Sequence, residues 1–86
     1  MRLRFTPHAL LRMRERGVTR RDVRGAIDRP DRATRSSRRE DRFLVVRTYQ
    51  HRRLRRIHAL LVVYEYQGGT VLVVTVVDTS KIAKYL

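Results

Sequence analysis

The spacing of the apolar residues changes at Phe43. Upstream of it, apolar side chains recur three or four residues apart, which is the spacing of one face of a helix. Downstream, β-branched and aromatic residues dominate three stretches with a period of two, residues 43–50, 54–66 and 70–77, as expected of β-strands. This order predicts an α+β fold in which two helices precede an antiparallel sheet of three or four strands.

Capping residues mark the ends of both helices. Thr6, followed by a proline, is typical of an N-cap, and Gly17 suits the left-handed conformation that ends many helices. Thr19, with Asp22 three residues later, repeats the starting signal. Pro30 disfavours helical geometry at the residue before it, so the second helix should stop there. Together the two helices predict an N-terminal helical hairpin packed on the sheet.

The glycines at positions 68 and 69 predict a tight hairpin between the last two strands. Such a turn pairs Gln67 with Thr70 directly beside it. Counting back along both strands then pairs Val62 with Thr75. One face is uniformly apolar and is expected to lie under the helices; its members are Ile57, Ala59, Leu61, Val63, Leu72, Val74 and Val76. The other face is mixed and is expected to border solvent or a ligand; its members are His58, Leu60, Val62, Tyr64, Tyr66, Val71, Val73 and Thr75.

The segment between the helices and the sheet, residues 28–42, contains six arginines and four acids. Mixed charge with one proline predicts a long surface connection, with a short edge strand around residues 33–35. Residues 50–53 are expected to form a basic turn between the first two strands. Residues 81–86 are expected either to cover an edge of the sheet or to fray.

Size and composition predict one domain, residues 1–86, with a modest core, since 42% of the residues are hydrophobic. The chain has no cysteine, which excludes disulfides and thiolate metal sites. Its start lacks the apolar stretch of a signal peptide. The longest apolar run, residues 57–64, is far shorter than the roughly 20 residues that span a bilayer. We therefore expect a cytoplasmic protein with no membrane partner.

All 19 arginines lie within the first 56 residues, and the chain carries a net charge of +13. The last 30 residues hold two lysines against two acids. Like charges at this density repel one another, so they favour a polyphosphate partner. Nucleic acid is the leading candidate. The alternative is that a GC-rich genome or a hot habitat favours arginine, which leaves many of these charges as a solvated face.

A ridge of His8, Arg12 and Arg16, each four residues apart, follows one side of the first helix. An apolar stripe lies beside it and faces the core. Arginine stems can lie on apolar surface while their charged heads stay in water, so the ridge is placed to overhang a groove. The alternative is an ordinary polar helix face in which Glu15 partly neutralises an arginine.

A family resemblance rests on residues 5–18, FTPHALLRMRERGV, followed by the helix of residues 19–27 and the strand VVTVV at 73–77. These segments resemble a bacterial domain family of unknown function, numbered 4258. That family is similar to the small toxins of the RelE and BrnT kind, which share a class of metal-independent ribonuclease folds with barnase. The resemblance implies a RelE/barnase-like fold, toxin-like RNA cleavage and an acidic antitoxin-like partner. The chain departs from RelE-like patterns in having few lysines and no terminal tyrosine beyond Tyr85.

Cleavage of RNA without a metal needs a group that takes a proton, cations for the phosphate and a donor for the leaving oxygen. His8 is the natural acid or base because imidazole titrates near neutral pH. Arg12 and Arg16 could hold the phosphate. The predicted catalytic residues are His8, Arg12, Arg16 and Thr75, and the predicted nucleic-acid-binding residues are Arg20, Arg47, Arg52, Arg53 and Tyr64. As alternatives, His8 stabilises only the helix start, and His58, Tyr64 and Thr75 pack only across strands.

Other chemistries fit the sequence poorly. The three histidines have no short ligand spacing and the eight acids are scattered, so we expect no metal site. No phosphate loop, nucleophile elbow or dinucleotide fingerprint is present, and we expect no cofactor. The leading hypothesis is a metal-independent, toxin-like endoribonuclease. The alternatives are a non-catalytic RNA- or DNA-binding module that uses the same face, and a small subunit that adds a strand to a partner.

Overall fold

The computed structural model describes residues 1–86 and has an α+β fold, as predicted. The elements in chain order are β1 (Arg2–Phe5), α1 (Pro7–Arg16), α2 (Arg20–Asp28), β2 (Arg32–Arg35), β3 (Arg42–His51), β4 (Arg56–Gln67), β5 (Thr70–Thr79) and α3 (Ile82–Tyr85). The five strands form one sheet in the order β1-β5-β4-β3-β2. None of the three helices is long and apolar enough to cross a membrane.

The sheet is mixed, which corrects the prediction of an antiparallel sheet of three or four strands. β1 pairs in parallel with β5, and the other neighbours are antiparallel. β1 is only four residues long, and although its polar and apolar residues alternate as in a strand, so short a run was not recognised as one. β2 is the edge strand expected near residues 33–35.

The predicted helix caps are confirmed. Thr6 Oγ1 accepts a hydrogen bond from the Ala9 amide at 3.0 Å, and Gly17 ends α1 with φ +70°. Thr19 and Asp22 form a reciprocal capping box at the start of α2. These bonds satisfy amide groups that have no partner inside a helix. Both helix starts are therefore determined by local sequence.

The predicted helical hairpin is wrong in detail, because each helix has the sheet as its main partner. α1 packs on β5 and β1, while α2 packs on β3 and β4. The two helices thus lie over different strands of the same face. This arrangement places the ridge of α1 beside the end of β5.

The predicted assignment of the two sheet faces is also wrong, since the mixed face lies under the helices. The main core unites helix and strand residues, namely Ala9, Met13, Val18, Val23, Ala26, Ile27, Val45, Leu60, Val62, Tyr64, Val71, Val73 and Val76. The opposite face carries a smaller cluster of Val46, Ala59 and Leu61, against which Ile82 and Tyr85 of α3 pack. Both faces are apolar enough to be buried, so alternation alone could not rank them.

A β-bulge in β5 shifts the predicted register. Gln67 pairs with Thr70 as expected, but Val62 pairs with Val76 instead of Thr75. The shift occurs between Val63 and Tyr64, opposite an extra residue on β5, and bulges of this kind bend a strand and re-aim its side chains. Here the bulge lies where β1 ends and α1 begins.

Candidate functional site

An open cleft of about 240 Å³ lies between α1 and the end of β5. Its lining residues are His8, Arg12, Arg16, Thr75, Val76, Val77 and Asp78. The structure therefore brings together the four residues predicted from the sequence to be catalytic. Spacing by four along α1 aligns the first three over β5, and the bulged strand supplies the fourth.

Thr6 connects the bulge to the start of α1. Its hydroxyl donates to the Val74 carbonyl oxygen at 2.7 Å while accepting from the Ala9 amide, and its backbone amide donates to the Val73 carbonyl. These bonds hold the first turn of α1 directly over the bulge. As a result, His8 and Thr75 face each other.

His8 and Thr75 share a hydrogen bond, with His8 Nε2 3.0 Å from Thr75 Oγ1. Which atom donates depends on the imidazole tautomer. His8 is an exposed residue, and its Nδ1 makes no hydrogen bond to the protein. When Nε2–H donates to the threonine, Nδ1 carries the free lone pair and is available as a base.

The two arginines of the ridge are exposed and only weakly paired. Arg12 Nη1 lies 3.7 Å from Glu15 Oε1, and both side chains are about half exposed, so the contact contributes little to stability. The guanidinium group of Arg16 forms no ion pair. Both arginines therefore have donors free for an anion in the cleft.

Asp78 is a carboxylate in this cleft that the sequence analysis did not single out. Its side chain is 7% exposed. The Tyr49 hydroxyl donates to Asp78 Oδ1 at 2.6 Å, and His58 Nδ1 donates to Oδ1 and Oδ2 at 2.9 and 3.1 Å. Two causes raise the pKa of Tyr49 well above its usual range: burial, which is the larger, and this hydrogen bond to a carboxylate. The phenol therefore remains a donor at all ordinary pH values.

His51 ties the end of α1 to the turn between β3 and β4. It is buried, and its Nε2–H donates to the Arg16 carbonyl oxygen at 2.6 Å while Nδ1 accepts from the Leu54 amide at 3.3 Å. These two bonds select the neutral form protonated on Nε2. Arg53 supports the same helix end, because its Nη2 donates to the Arg14 carbonyl at 3.2 Å. Sequence reasoning placed His51 only in a basic turn.

The residues predicted to bind nucleic acid are dispersed. Arg20 lies over the Phe5 ring at 5.0 Å, outside the cleft. Arg47 donates to the Arg29 carbonyl at 2.6 Å and so caps the end of α2. Arg52 is exposed in the turn after β3, next to Arg53. Of these four arginines, only Arg53 lines a cleft that also includes Arg16.

Tyr64 corrects one of these predictions, since it is buried in the main core with 6% exposure. Its ring stacks on Phe43 with centroids 5.4 Å apart. Burial raises the pKa of its phenol. A side chain in this position does not reach a surface ligand, so Tyr64 is removed from the candidate site.

Metal-ligating side chains do not converge anywhere in the structure, since no group of three or more His, Cys, Asp or Glu residues is placed to hold an ion. His58 does not line the cleft that contains His8. It lies on the other side of Asp78 and lines a different cleft further along the surface. His8 is therefore the one histidine that lines this cleft.

The sequence model of a domain family, described as a domain of unknown function (DUF4258), matches residues 5–81. The chain belongs to this family. The match runs from the last residue of β1 to the residue before α3, so the matched segment of this chain includes α1, the bulged strand and all residues that line the cleft. No curated protein and no solved structure matches the chain significantly.

Proposed function

We propose that this DUF4258 domain is a metal-independent endoribonuclease that binds the reacting phosphodiester in the cleft of His8, Arg12, Arg16 and Thr75. The observation that carries the proposal is the His8–Thr75 hydrogen bond of 3.0 Å in a cleft with two arginines whose donors are free. An oriented imidazole and two fork-shaped cations are two of the three kinds of group that this chemistry needs, and solvent supplies the third, a proton donor for the leaving oxygen.

In the proposed reaction, the 2′ oxygen of the substrate attacks the adjacent phosphorus atom and the bond to the 5′ oxygen breaks. His8 takes the proton from the 2′ hydroxyl through Nδ1, while Thr75 holds Nε2–H and fixes the ring. Arg12 and Arg16 stabilise the charge that accumulates on the phosphate oxygens in the transition state. The departing 5′ oxygen takes a proton from solvent, so the products are a 2′,3′-cyclic phosphate and a 5′ hydroxyl.

A second candidate is a non-catalytic RNA- or DNA-binding module that uses the same face. One observation favours it: the other titratable group in the cleft, Asp78, is already engaged by Tyr49 and His58. The cleft then offers no second free group to protonate the leaving oxygen. Binding alone needs only the arginines, and both candidates predict affinity that falls steeply with salt.

The test is incubation of purified protein with labelled RNA in EDTA, followed by analysis of the product ends. The enzyme predicts 2′,3′-cyclic phosphate ends and a loss of at least about 100-fold in rate for His8→Ala, with RNA affinity nearly unchanged. His8 is exposed and Thr6 supplies the cap, so the variant should fold. Tight binding by the wild type without any cleavage would instead identify the binding module.

The proposal extends to an acidic antitoxin-like protein that covers the arginine surface. Its support is the net charge of +13, which an acidic partner would neutralise. A ribonuclease made alone should arrest growth, and His8→Ala should relieve the arrest. Growth unaffected by the wild-type chain would remove the need for such a partner.

A further inference from the structure

The cleft beside His8 continues into two further surface clefts. The second cleft shares Arg16 and Asp78 with the first and adds Glu15, His51, Arg53 and Leu54. The third shares Arg53 and Leu54 with the second and adds Arg56, His58 and Ser80. Because neighbouring clefts share lining residues, the three clefts adjoin one another along one side of the molecule. Together they are called the groove below, which runs from α1 past the turn between β3 and β4.

The groove is positively charged along its length. Four arginines line it, Arg12, Arg16, Arg53 and Arg56, against the two acids Glu15 and Asp78. Glu15 is half exposed and lies near Arg12, and Asp78 is buried with donors from Tyr49 and His58. Neither acid pairs with Arg16 or Arg56, so these cations remain free to meet phosphates.

An exposed apolar side chain lies in the middle of this charged surface. Leu54 is 55% exposed and lines both the second and the third cleft. The backbone of Leu54 is held in the turn, because the Leu54 amide donates to His51 Nδ1 and the Arg55 amide donates to the His51 carbonyl at 2.7 Å. Arg55 completes the turn with φ +55°. An apolar contact held between cations suits a base or ribose between phosphates.

We infer that the groove binds single-stranded RNA across several nucleotides, with phosphates beside Arg16, Arg53 and Arg56 and one nucleoside against Leu54. This inference rests on the proposed function, which assigns the first cleft to the reacting phosphate. A single strand is favoured over a duplex because only an unpaired base can turn towards an apolar contact, since duplex bases are stacked inside the helix. Substrate length therefore determines affinity.

The test compares a hexanucleotide and a dinucleotide, both carrying 2′-O-methyl groups so that they cannot be cleaved. Binding is measured over a range of salt concentrations for the wild type, Arg56→Ala, Leu54→Ala and Arg32→Ala. Arg32 is an exposed residue of the edge strand β2, lines none of the three clefts, and so controls for the loss of one charge.

The hexanucleotide should bind more tightly than the dinucleotide and with a steeper salt dependence. Each phosphate contact on a single strand contributes about 0.7 to the slope of log K against log salt. Arg56→Ala should reduce the hexanucleotide slope by about that amount and leave dinucleotide binding unchanged. Leu54→Ala should weaken hexanucleotide binding several-fold without changing the slope. Arg32→Ala should change neither ligand's slope.

Three results would contradict RNA binding in the groove. Arg56→Ala could weaken the binding of both oligonucleotides equally, or Arg32→Ala could weaken hexanucleotide binding as much as Arg56→Ala does. The third is a duplex of the same length that binds as tightly as the single strand. Cleavage of the unmodified hexanucleotide is scored separately. Length-dependent binding without cleavage supports the groove and rejects the ribonuclease. Cleavage whose KM does not depend on substrate length supports the ribonuclease and rejects the groove.

Discussion

His8 Nε2 lies 3.0 Å from Thr75 Oγ1, although the two residues are 67 positions apart in the chain. The contact depends on the bulge in β5, where the Val74 carbonyl oxygen accepts a hydrogen bond from the Thr6 hydroxyl. One residue thus caps α1 and anchors it to the strand that carries Thr75. The geometry of the candidate site follows from this junction between β1, α1 and β5.

Replacing Thr75 by valine keeps the shape of the side chain and removes the hydroxyl. We expect the cleavage rate to fall by about tenfold, which corresponds to the loss of one hydrogen bond of about 1.4 kcal/mol. The variant Thr70→Val, at the start of β5 and outside the cleft, is the matched control. Rates at saturating RNA measure the effect, and an unchanged rate for Thr75→Val would show that the hydroxyl does not orient His8.

Gly17→Ala should destabilise the fold by about 1–2 kcal/mol, because an L residue is strained at φ +70°. An added Cβ would also lie 2.6 Å from Arg53 Cζ and displace that side chain. Gly25→Ala is the control, since nothing lies within 4 Å of its added Cβ. In the interior of a helix such as α2, alanine is more stable than glycine by up to about 1 kcal/mol. Urea unfolding should give opposite signs for the two variants; equal signs would contradict this account of the C-cap.

Asp78→Ala should be more destabilising than Asp78→Asn. Alanine leaves the Tyr49 hydroxyl and His58 Nδ1–H without their acceptor, and each buried donor without a partner costs about 1–3 kcal/mol. Asparagine retains one acceptor oxygen. Free energies of unfolding would measure the difference. If alanine were the better tolerated of the two, the cluster around Asp78 would not stabilise the end of the sheet.

Asp31 predicts a dependence of stability on pH. Hydrogen bonds from the Thr48 amide, at 2.7 Å, and from its hydroxyl lower the pKa of Asp31 below its usual value. The ionised carboxylate therefore stabilises the fold above the ordinary pKa of 3.8, and this contribution is lost as pH falls through the lowered value. The effect should be small, because the carboxyl group is exposed.

Unfolding experiments at neutral pH and near pH 3 would test this effect. Asp31→Asn should lower stability at neutral pH and reduce the loss on acidification. Asp28→Asn is the control, because Asp28 is an exposed acid at the end of α2 with no hydrogen bond or ion pair. Identical pH profiles for the wild type and Asp31→Asn would remove Asp31 from the account.

Local signals in the sequence predicted the helices and the part of the candidate site that lies on α1. The capping bonds of Thr6, Gly17 and Thr19 join residues within one helical turn, so these caps could be identified without tertiary information. Spacing by four placed His8 and Arg16 on one face of α1 for the same reason. These features need no knowledge of which strands pair.

Features that depend on pairing between distant strands could not be predicted in this way. Asp78 meets Tyr49 and His58 only because β3, β4 and β5 lie side by side, and its sequence signal is a lone acid within an apolar strand. The buried face was misassigned because His58 has a polar partner that makes its burial tolerable. The sequence near Thr75 contains no glycine or proline that would indicate a bulge.

The rate of RNA cleavage in EDTA, measured in a single turnover with excess enzyme, tests the central claim most directly. Wild type and Arg32→Ala should cleave at similar rates, while His8→Ala should be slower by at least about 100-fold. Excess enzyme removes differences in affinity, so the comparison reports the chemical step. Equal rates for His8→Ala and the wild type, or no cleavage by any of the three, would contradict a catalytic cleft at His8.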